Sequence, residues 1–300
     1  MPINVLILGY LRYENIRRTV LSLKRLEKDV CIYISIDRAE SEPSFSINNR
    51  VIDVVKQLKV QGLIEDYNIL TNHRGCYRGV HDGVSWFFNM VEIGLILEDD
   101  LQIHPSTLNV YSQLAERFDV DKKLGSISFY SDFMIRGLGH INTNVVFCNS
   151  DYFSSWGWAT TRARWVQFEH NVQRLSSFEM IKHGGLRGYR RWRNVKGRIM
   201  DGELDSWAYR WLFTHWIKGW RTLRPYGPGF IINSGFDQLA THTSSFRDGE
   251  KREAGELQPT KNTQEFVLVE NLSRKDLEKH ILEYSYGISS LKKRISERLN

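Results

Sequence analysis

The sequence predicts an α/β fold: a mostly parallel sheet flanked by helices on both faces. Two observations lead to this fold class. Short apolar runs alternate with segments of helical periodicity over the first 120 residues, which is typical of strands joined by helical crossovers. The runs themselves are almost continuously apolar, as in strands that are buried on both faces.

The predicted elements follow one another along the first half of the chain. The strands are residues 3–8, 31–36, 67–70, 94–97 and 125–129. The helices place apolar residues at spacings of three and four, around 16–23, 51–58, 80–91 and 106–118. Three strands are followed directly by Gly9, by Asp37 and by the acidic triplet Glu98, Asp99 and Asp100. Because ligands of such sheets bind at the carboxyl ends of the strands, we expect these residues to converge.

The rest of the chain has a different character. Residues 121–243 are largely aromatic, Gly-rich and basic, which predicts substrate-binding loops. Residues 244–264 are polar and charged, which predicts a linker or mobile loop. Residues 265–300 predict an amphipathic tail helix. Its basic residues could contact anionic lipid, and its apolar stripe could instead dock onto the protein's own core or a second copy.

Composition limits the class of protein. Of the 300 residues, 41% are hydrophobic and 25% charged, which excludes collagen-like and wholly disordered proteins. The 41 Lys and Arg against 35 Asp and Glu give a net charge of +6, which permits an anionic partner without requiring nucleic acid. The three cysteines form no C-x-x-C motif, and the early apolar run is too short to span a bilayer. We therefore expect a cytoplasmic protein with reduced thiols.

The acidic triplet is the sharpest functional signal. Gathering three carboxylates at the end of a buried strand costs electrostatic repulsion, which a divalent cation would relieve. Hard oxygen ligands suit Mg²⁺ or Mn²⁺ held jointly with substrate phosphates. An acidic turn solvated by water is the alternative, and the local sequence leaves both open.

Two further segments could bind a nucleotide. Asp37 could accept hydrogen bonds from a base or ribose, or it could cap a helix. Arg78 lies in a segment rich in Gly and Arg, residues 72–79, which could bind an anion at a helix start. That segment has neither the P-loop nor the dinucleotide-binding spacing, which weakens an ATPase or dehydrogenase interpretation.

The second half of the chain contains candidates for stacking against a substrate, for a general base and for a further cation ligand. Trp156-Gly157-Trp158 could form a stacking surface for a sugar ring, or its indoles could belong to the core. Asp205 or Glu203 could act as a general base, or could cap the following Trp-rich helix. His242 could complete a cation site, although a single histidine is by default structural. The basic segment 187–198 has the composition of a nucleic-acid surface without a recognised motif, so we expect a solvated loop or a clamp for an acceptor phosphate.

Taken together, these residues resemble the nucleotide-sugar glycosyltransferases of the GT-A fold. The likeness is to the inverting N-acetylglucosaminyltransferase I type and to bacterial sugar transferases close to glycosyltransferase family 2, and it covers residues 3–243. Its most specific part runs from Tyr77-Arg78-Gly79 through Ile96–Asp100 to His104-Pro105. Further matches are residues 8–12, 35–37, 156–160, 205–211 and 233–236.

The resemblance implies a role for each candidate. The residues so assigned are Asp100 and His242 for the cation, Glu98 and Asp99 for the ribose or donor sugar, Gly9, Arg12, Asp37 and Arg78 for the nucleotide, Trp156, Gly157 and Trp158 for the acceptor, and Asp205 for the base. Glu203 is the alternative base, because some relatives carry an acidic residue at the position of Ala208. Residues 1–120 would then bind the nucleotide sugar and residues 121–243 the acceptor.

The resemblance also implies the reaction and its partners. It implies a hexosyltransferase that uses Mn²⁺ or Mg²⁺ and a nucleoside-diphosphate sugar, with a UDP-sugar favoured. The acceptor would be a saccharide or a lipid-linked glycan in bacterial surface polysaccharide synthesis. The tail helix lies outside the resemblance; its own basic residues would allow peripheral contact with the inner face of the membrane, and no nucleic acid is expected.

Two alternatives stay open from the sequence. A nucleotidyltransferase could use the same sheet and acidic triplet, although no Gly/Arg/Lys-rich triphosphate loop follows Gly9. A non-catalytic protein that binds RNA or an anionic surface could use the basic segment 187–198 and the tail helix.

Overall fold

The computed structural model describes residues 2–26, 28–130, 146–226, 230–233 and 267–268. His242 and the predicted linker, 244–264, lie outside these residues. Of the predicted tail helix, only Val267–Leu268 are described, and they pair as a strand. A helix over the whole of 265–300 is therefore wrong at these two positions.

The described residues form eleven strands and eight helices. The strands are β1 (Ile3–Gly9), β2 (Val30–Ile36), β3 (Asp66–Ile69), β4 (Ile93–Glu98), β5 (Leu101–Ile103), β6 (Leu124–Ser128), β7 (Val146–Ser150), β8 (Trp158–Thr161), β9 (Arg221–Tyr226), β10 (Ile231–Asn233) and β11 (Val267–Leu268). The helices are α1 (Tyr13–Lys24), α2 (Ser44–Val60), α3 (Gly75–Met90), α4 (Thr107–Ala115), α5 (Arg117–Val120), α6 (Arg162–Trp165), α7 (Ser177–Met200) and α8 (Trp207–Lys218). A short 3-10 turn, Val172–Arg174, precedes α7.

Nine strands form one sheet, in the order β11-β7-β9-β6-β8-β4-β1-β2-β3. β4, β1, β2 and β3 run parallel, and so do β6 with β9 and β7 with β11. β8 is antiparallel to both β4 and β6, and β7 is antiparallel to β9. The predicted mostly parallel α/β sheet is thus confirmed, and both halves of residues 1–226 contribute to it. β5 and β10 form a separate two-stranded pair.

The first half of the chain folds as its pattern predicts. α1 buries Ile16, Val20 and Leu23, and α2 buries Val51, Val55 and Leu58. The helix predicted over 106–118 is divided into α4 and α5. β5 was not predicted, because three residues directly after an acidic turn are too few to show a period.

The prediction that residues 121–243 are mainly loops is wrong. They contain α7, 24 residues long, and α8, 12 residues long. α7 begins with a capping box, in which Ser176 Oγ accepts from Glu179 N and the Glu179 side chain accepts from Ser176 N. Its buried face includes His183, Gly184 and Gly188, so the apolar period is incomplete. The basic segment 187–198 is therefore helical and not a loop.

The sheet has a core layer on each face. The first core layer contains Val5 and Ile7 with the buried faces of α1, α2 and α4, and the second contains Leu6 and Leu8 with α3, α7 and α8. Alternate residues of β1 thus point to opposite faces, as strand geometry requires. Helices therefore cover both faces of the sheet, as the sequence predicts. No helix in the described residues is long and apolar enough to cross a bilayer.

Candidate functional site

The candidate site lies where three neighbouring parallel strands end. β4, β1 and β2 are adjacent in the sheet, so the loops that follow them meet at one edge. Asp37 N donates to Gly9 O at 3.2 Å, and Tyr10 N donates to Asp99 Oδ2 at 3.2 Å. A Cβ on Gly9 would lie 2.6 Å from Ile16 Cδ1, so the glycine allows α1 to pack against the end of β1. The residues expected to converge are therefore in direct contact through these loops.

Arg12 bridges two carboxylates of the acidic triplet. Its Nη1 lies 3.1 Å from Asp99 Oδ1 and 3.3 Å from Asp100 Oδ2. All three side chains are largely buried. Burial raises the pKa of Asp99 to about 6, even though the Arg12 charge and the Tyr10 N–H lower it. For Asp99, the effect of burial thus outweighs the stabilisation of its ionised form by the Arg12 guanidinium.

The pKa of Glu98 reflects burial and also repulsion among the three carboxylates of the triplet. Burial, followed by the charges of Asp100 and Asp99, raises its pKa to about 8. The three carboxylates therefore lie close enough to disfavour each other's ionisation. A divalent cation or an additional positive group at this point would relieve that repulsion.

The triplet fits a cation that is shared with a substrate. Within the described residues, no group of three or more His, Cys, Asp or Glu side chains is arranged to hold a metal ion. Mg²⁺, however, is commonly bound by one or two carboxylates while substrate phosphates supply further oxygens. Asp100 and its repelling neighbours fit this second kind of site. His242, the other predicted ligand, lies outside the described residues.

Asp37 caps α3. Its Oδ1 accepts from Arg38 N at 2.9 Å and Arg74 N at 3.0 Å, and its Oδ2 accepts from Gly75 N at 3.2 Å. His73 Nδ1 lies 2.9 Å from the same Oδ2. Burial raises the pKa of Asp37, although these donors oppose the shift. Both oxygens are thus engaged by the chain, and the carboxylate that we expected to contact a nucleotide fixes the loop before α3 here.

Asp205 also binds the first turn of α3. Its Oδ1 accepts from Tyr77 N at 3.2 Å, and a Cβ on Gly75 would lie 2.6 Å from its Oδ2. Gly75 has a φ of +72°, which favours glycine in any case. Asp205 directly precedes Ser206, the N-cap of α8, and Ser206 Oγ accepts from Tyr209 N at 3.4 Å. This exposed carboxylate therefore links the starts of two helices.

The pKa of the Cys76 thiol responds to carboxylates from both parts of the candidate site. Burial raises this pKa to about 12, and the charges of Glu98, Asp205 and Asp37 add to the shift. Glu98 of β4, Asp205 before α8 and Asp37 after β2 thus all lie within electrostatic range of the thiol. Asp37 Oδ2 accepts from Gly75 N, and Asp205 Oδ2 lies beside the same glycine, so the candidate base adjoins the loop that follows β2.

Glu203, the alternative base, lies at the surface near the end of α7. Its Oε2 is 3.6 Å from Arg198 Nε, and 63% of its side chain is exposed. Among the described residues, its contacts are with this end of α7 and not with α3. The geometry therefore favours Asp205.

Arg78 lies in a basic patch beside Asp205. Its Cζ is 4.8 Å from the centre of the Tyr77 ring, and Arg210 Cζ is 4.2 Å from the same centre. Burial lowers the pKa of Arg210, and the nearby charge of Arg78 adds to the effect while Tyr77 and Asp205 oppose it. Arg78 is exposed and so accessible to an anion at the site.

The tryptophan motif has only one partly accessible indole. Trp158 is fully buried in the second core layer, where its ring lies 5.3 Å from that of Trp207 and 5.2 Å from that of Phe153. The prediction that Trp158 lines an acceptor site is therefore corrected. Trp156 is half-buried against Tyr130, and Gly157 O accepts from Phe129 N at 2.9 Å.

Sequence reasoning missed Asn48. This α2 residue is fully buried, and its Nδ2 donates to Tyr10 O and Asp37 O, both at 2.8 Å. Its Oδ1 accepts from Ala39 N at 3.3 Å. It thus holds together the loops after β1 and β2. The available signal was a polar amide on the apolar face of α2, three residues before Val51.

No family model matches this chain, and no curated protein matches it by sequence. Several solved structures are similar. TarS residues 1–349 of S. aureus shares 10% identity at a TM-score of 0.45, over 78% of this chain and 61% of that one. The glycosyltransferase GlyE of Streptococcus pneumoniae shares 11% identity at a TM-score of 0.34, over 70% and 42%. A protein of Bacillus anthracis described as a glucose-1-phosphate thymidylyltransferase shares 11% at 0.36, over 78% and 89%.

The first two proteins are longer than the matched region. This chain spans less than two thirds of the length of either one. At these levels of identity, residue roles depend on the geometry of this chain alone.

Proposed function

We propose that this chain is a metal-dependent glycosyltransferase that moves a sugar from a nucleoside-diphosphate sugar, with a UDP-sugar favoured, to a hydroxyl of a saccharide or lipid-linked acceptor. The observation that supports the proposal is that Arg12 pairs with Asp99 and Asp100 at the end of β4, while Asp205 and Asp37 both contact the first residues of α3. Together with the exposed Arg78, these groups offer carboxylates for a cation, a guanidinium for an anion and a separate carboxylate for a proton.

The donor side of the reaction depends on Asp100 and Arg12. Asp100 would hold Mn²⁺ or Mg²⁺, which neutralises charge on a diphosphate leaving group. Arg12 keeps Asp99 and Asp100 in place through its two contacts, at 3.1 and 3.3 Å. The exposed guanidinium of Arg78 would orient the nucleotide phosphates. These groups favour departure of the diphosphate as the bond to the sugar carbon breaks.

The acceptor side depends on Asp205. The acceptor hydroxyl oxygen would attack the sugar carbon on the face opposite the diphosphate, and its proton would pass to Asp205. Asp205 Oδ1 is held by Tyr77 N–H, while Oδ2 accepts no hydrogen bond from the described residues. Oδ2 is therefore the proton acceptor in this proposal. Direct displacement of this kind inverts the configuration at the sugar carbon.

The donor site is tested by isothermal titration of the full chain with UDP, GDP, dTDP and CMP, each with Mn²⁺ and again with EDTA. We expect one nucleoside diphosphate to bind, and its affinity to fall at least tenfold in EDTA. Asp100→Asn should remove this metal-dependent binding, while Asp53→Asn, on the exposed face of α2, should leave it unchanged. Equal binding with EDTA, or full binding by Asp100→Asn, would contradict the proposed donor site.

The base is tested by turnover with the donor that binds. Asp205→Asn should bind the nucleotide normally and lose about 10²- to 10⁴-fold in turnover, since that is the usual contribution of a general base. Glu203→Gln is the matched control and should retain turnover. Loss in Glu203→Gln with full turnover in Asp205→Asn would reverse the assignment. Release of pyrophosphate from a nucleoside triphosphate would instead identify a nucleotidyltransferase.

A further inference from the structure

The positive charge of this protein is concentrated in one helix. α7 contains seven Lys or Arg residues and one Glu, a net charge of +6, which equals the formal net charge of the whole chain. The remainder of the chain is therefore balanced. Within the described residues, Lys182, Arg187, Arg190 and Arg193 are exposed and form no ion pair.

Large apolar side chains are exposed on the same helix. Of the nine large hydrophobic residues that are exposed in the described part of the chain, four lie in α7. They are Phe178 at 72%, Ile181 at 37%, Leu186 at 78% and Met200 at 49% exposure. Single exposed apolar side chains are ordinary on a protein surface, but a group of them on one helix, among polar residues, is typical of an interaction surface.

The basic and apolar residues share one face. In the second part of α7, Leu186, Arg190, Arg193 and Met200 follow one another at helical spacings. The opposite face, which includes Trp192, Val195 and Ile199, is buried in the second core layer. The outward face of α7 is thus mixed: its exposed cations lie between exposed apolar side chains.

A kink in α7 brings a further exposed apolar side chain, Phe178, close to this face. Gly185 has a φ of +70° and a ψ of 158°, which divides α7 into two segments. Ser177 Oγ and Tyr189 Oη lie 3.1 Å apart, so the first turn of the first segment is close to the second segment. Phe178 follows Ser177 directly and Arg190 follows Tyr189, so an exposed ring and an exposed guanidinium flank this contact.

We propose that the outward face of α7 docks onto an anionic lipid surface. Guanidinium and ammonium groups would bind lipid phosphates while Phe178 and Leu186 enter the boundary between headgroups and acyl chains. RNA would satisfy the cations but would leave these exposed aliphatic and aromatic side chains in water. The charge and the exposed apolar side chains together therefore favour lipid.

The test is sedimentation of the full chain with vesicles of phosphatidylcholine, with and without phosphatidylglycerol. We expect binding only to the anionic vesicles. The triple variant Arg187→Gln/Arg190→Gln/Arg193→Gln should bind about 100-fold more weakly, because each cation near an anionic surface contributes about fivefold. Phe178→Ser/Leu186→Ser should bind about tenfold more weakly and lose the binding that persists at high salt.

Matched controls remove the same chemistry elsewhere. Arg17→Gln/Arg18→Gln/Arg25→Gln removes three exposed arginines on and just after α1, on the opposite face of the sheet, and should bind vesicles normally. Val60→Ser/Val166→Ser removes two side chains that are 88% and 72% exposed, and should also bind normally. Circular dichroism confirms that each variant is folded.

Three results would overturn the proposal. The first is no binding of the unaltered chain to anionic vesicles. The second is equal loss in the α1 and α7 charge variants, which would mean that the charge acts without regard to place. The third combines two findings: Phe178→Ser/Leu186→Ser binds vesicles fully, and a single-stranded RNA oligonucleotide binds tightly to the unaltered chain but not to the α7 arginine variant. Together these would identify an RNA-binding surface.

Discussion

At the scale of single residues, Asn48 is the polar group on which the geometry of the site most depends. It has no exposed surface, and its amide joins Tyr10 O, Asp37 O and Ala39 N. Asn48→Ala would leave these backbone groups without that partner, at a cost of about 2–3 kcal/mol in the free energy of unfolding. Urea denaturation of the two proteins measures this difference.

The neighbouring residue provides the control for this prediction. Asn49 lies on the same helix but is half-buried, so Asn49→Ala should change stability by less than about 0.5 kcal/mol. Asn48→Asp should be at least as harmful as Asn48→Ala, because a carboxylate has no N–H to donate to the two carbonyls. Equal stability of Asn48→Ala and Asn49→Ala would show that the loops are held by other contacts.

Single residues also show where sequence reasoning ends. The spacing of Glu98, Asp99 and Asp100 after an apolar run predicted the acidic site, because a parallel strand fixes where its end lies. The roles of Asp37 and Trp158 could not be read in this way. A carboxylate caps a helix or faces a ligand depending on which backbone N–H groups reach it. An indole in a motif is buried or open depending on strands far away in sequence.

At the scale of elements, His215 joins α8 to β6. Ser126 Oγ receives the Trp211 indole N–H at 3.0 Å and lies 3.0 Å from His215 Nε2. His215 Nδ1 donates to Trp211 O at 2.9 Å, so Nε2 accepts from the Ser126 hydroxyl in the neutral ring. Burial lowers the pKa of His215 to about 4. The contact between α8 and β6 therefore requires an uncharged imidazole.

This contact predicts a loss of stability in acid. The unfolded chain takes up the His215 proton near its ordinary pKa, but the folded chain does so only near pH 4. The stabilising contribution of neutral His215 is therefore fully present above the ordinary histidine pKa. It falls by about 3 kcal/mol as the pH drops to about 4, which is the pKa of His215 in the folded chain. The difference in unfolding free energy between the unaltered chain and His215→Gln should shrink over this range. A difference that does not change with pH would exclude His215 as the cause.

Elements differ in how far their pattern predicts them. α1 and α2 could be predicted because their apolar residues repeat at three and four against a polar face. α7 could not be predicted in this way. Glycine and histidine occupy part of its buried face, and its many arginines leave few apolar residues to mark a helical period. Its capping box, Ser176 with Glu179, was the usable signal. β5 and β10 pair with each other across more than a hundred residues, which no local pattern reveals.

At the scale of the whole molecule, the two core layers share the central strands β1, β4 and β8. Leu6 and Leu8 face the second layer, while Val5 and Ile7, between and beside them, face the first. Neither layer can lose its packing without releasing side chains on the strands that support the other. We therefore expect the two layers to unfold together in a single transition.

The tryptophans allow this coupling to be measured. Eight of the nine belong to or pack against the second layer, and only Trp156 packs against the first. Ile7→Ala removes a fully buried side chain from the first layer and should cost about 2–5 kcal/mol. Because the layers are coupled, tryptophan fluorescence and far-ultraviolet circular dichroism should report the same lowered urea midpoint, while Val60→Ala, at an 88% exposed position, should leave it unchanged. A lowered midpoint by circular dichroism with an unchanged fluorescence midpoint would mean that the second layer and its tryptophans fold independently of the first.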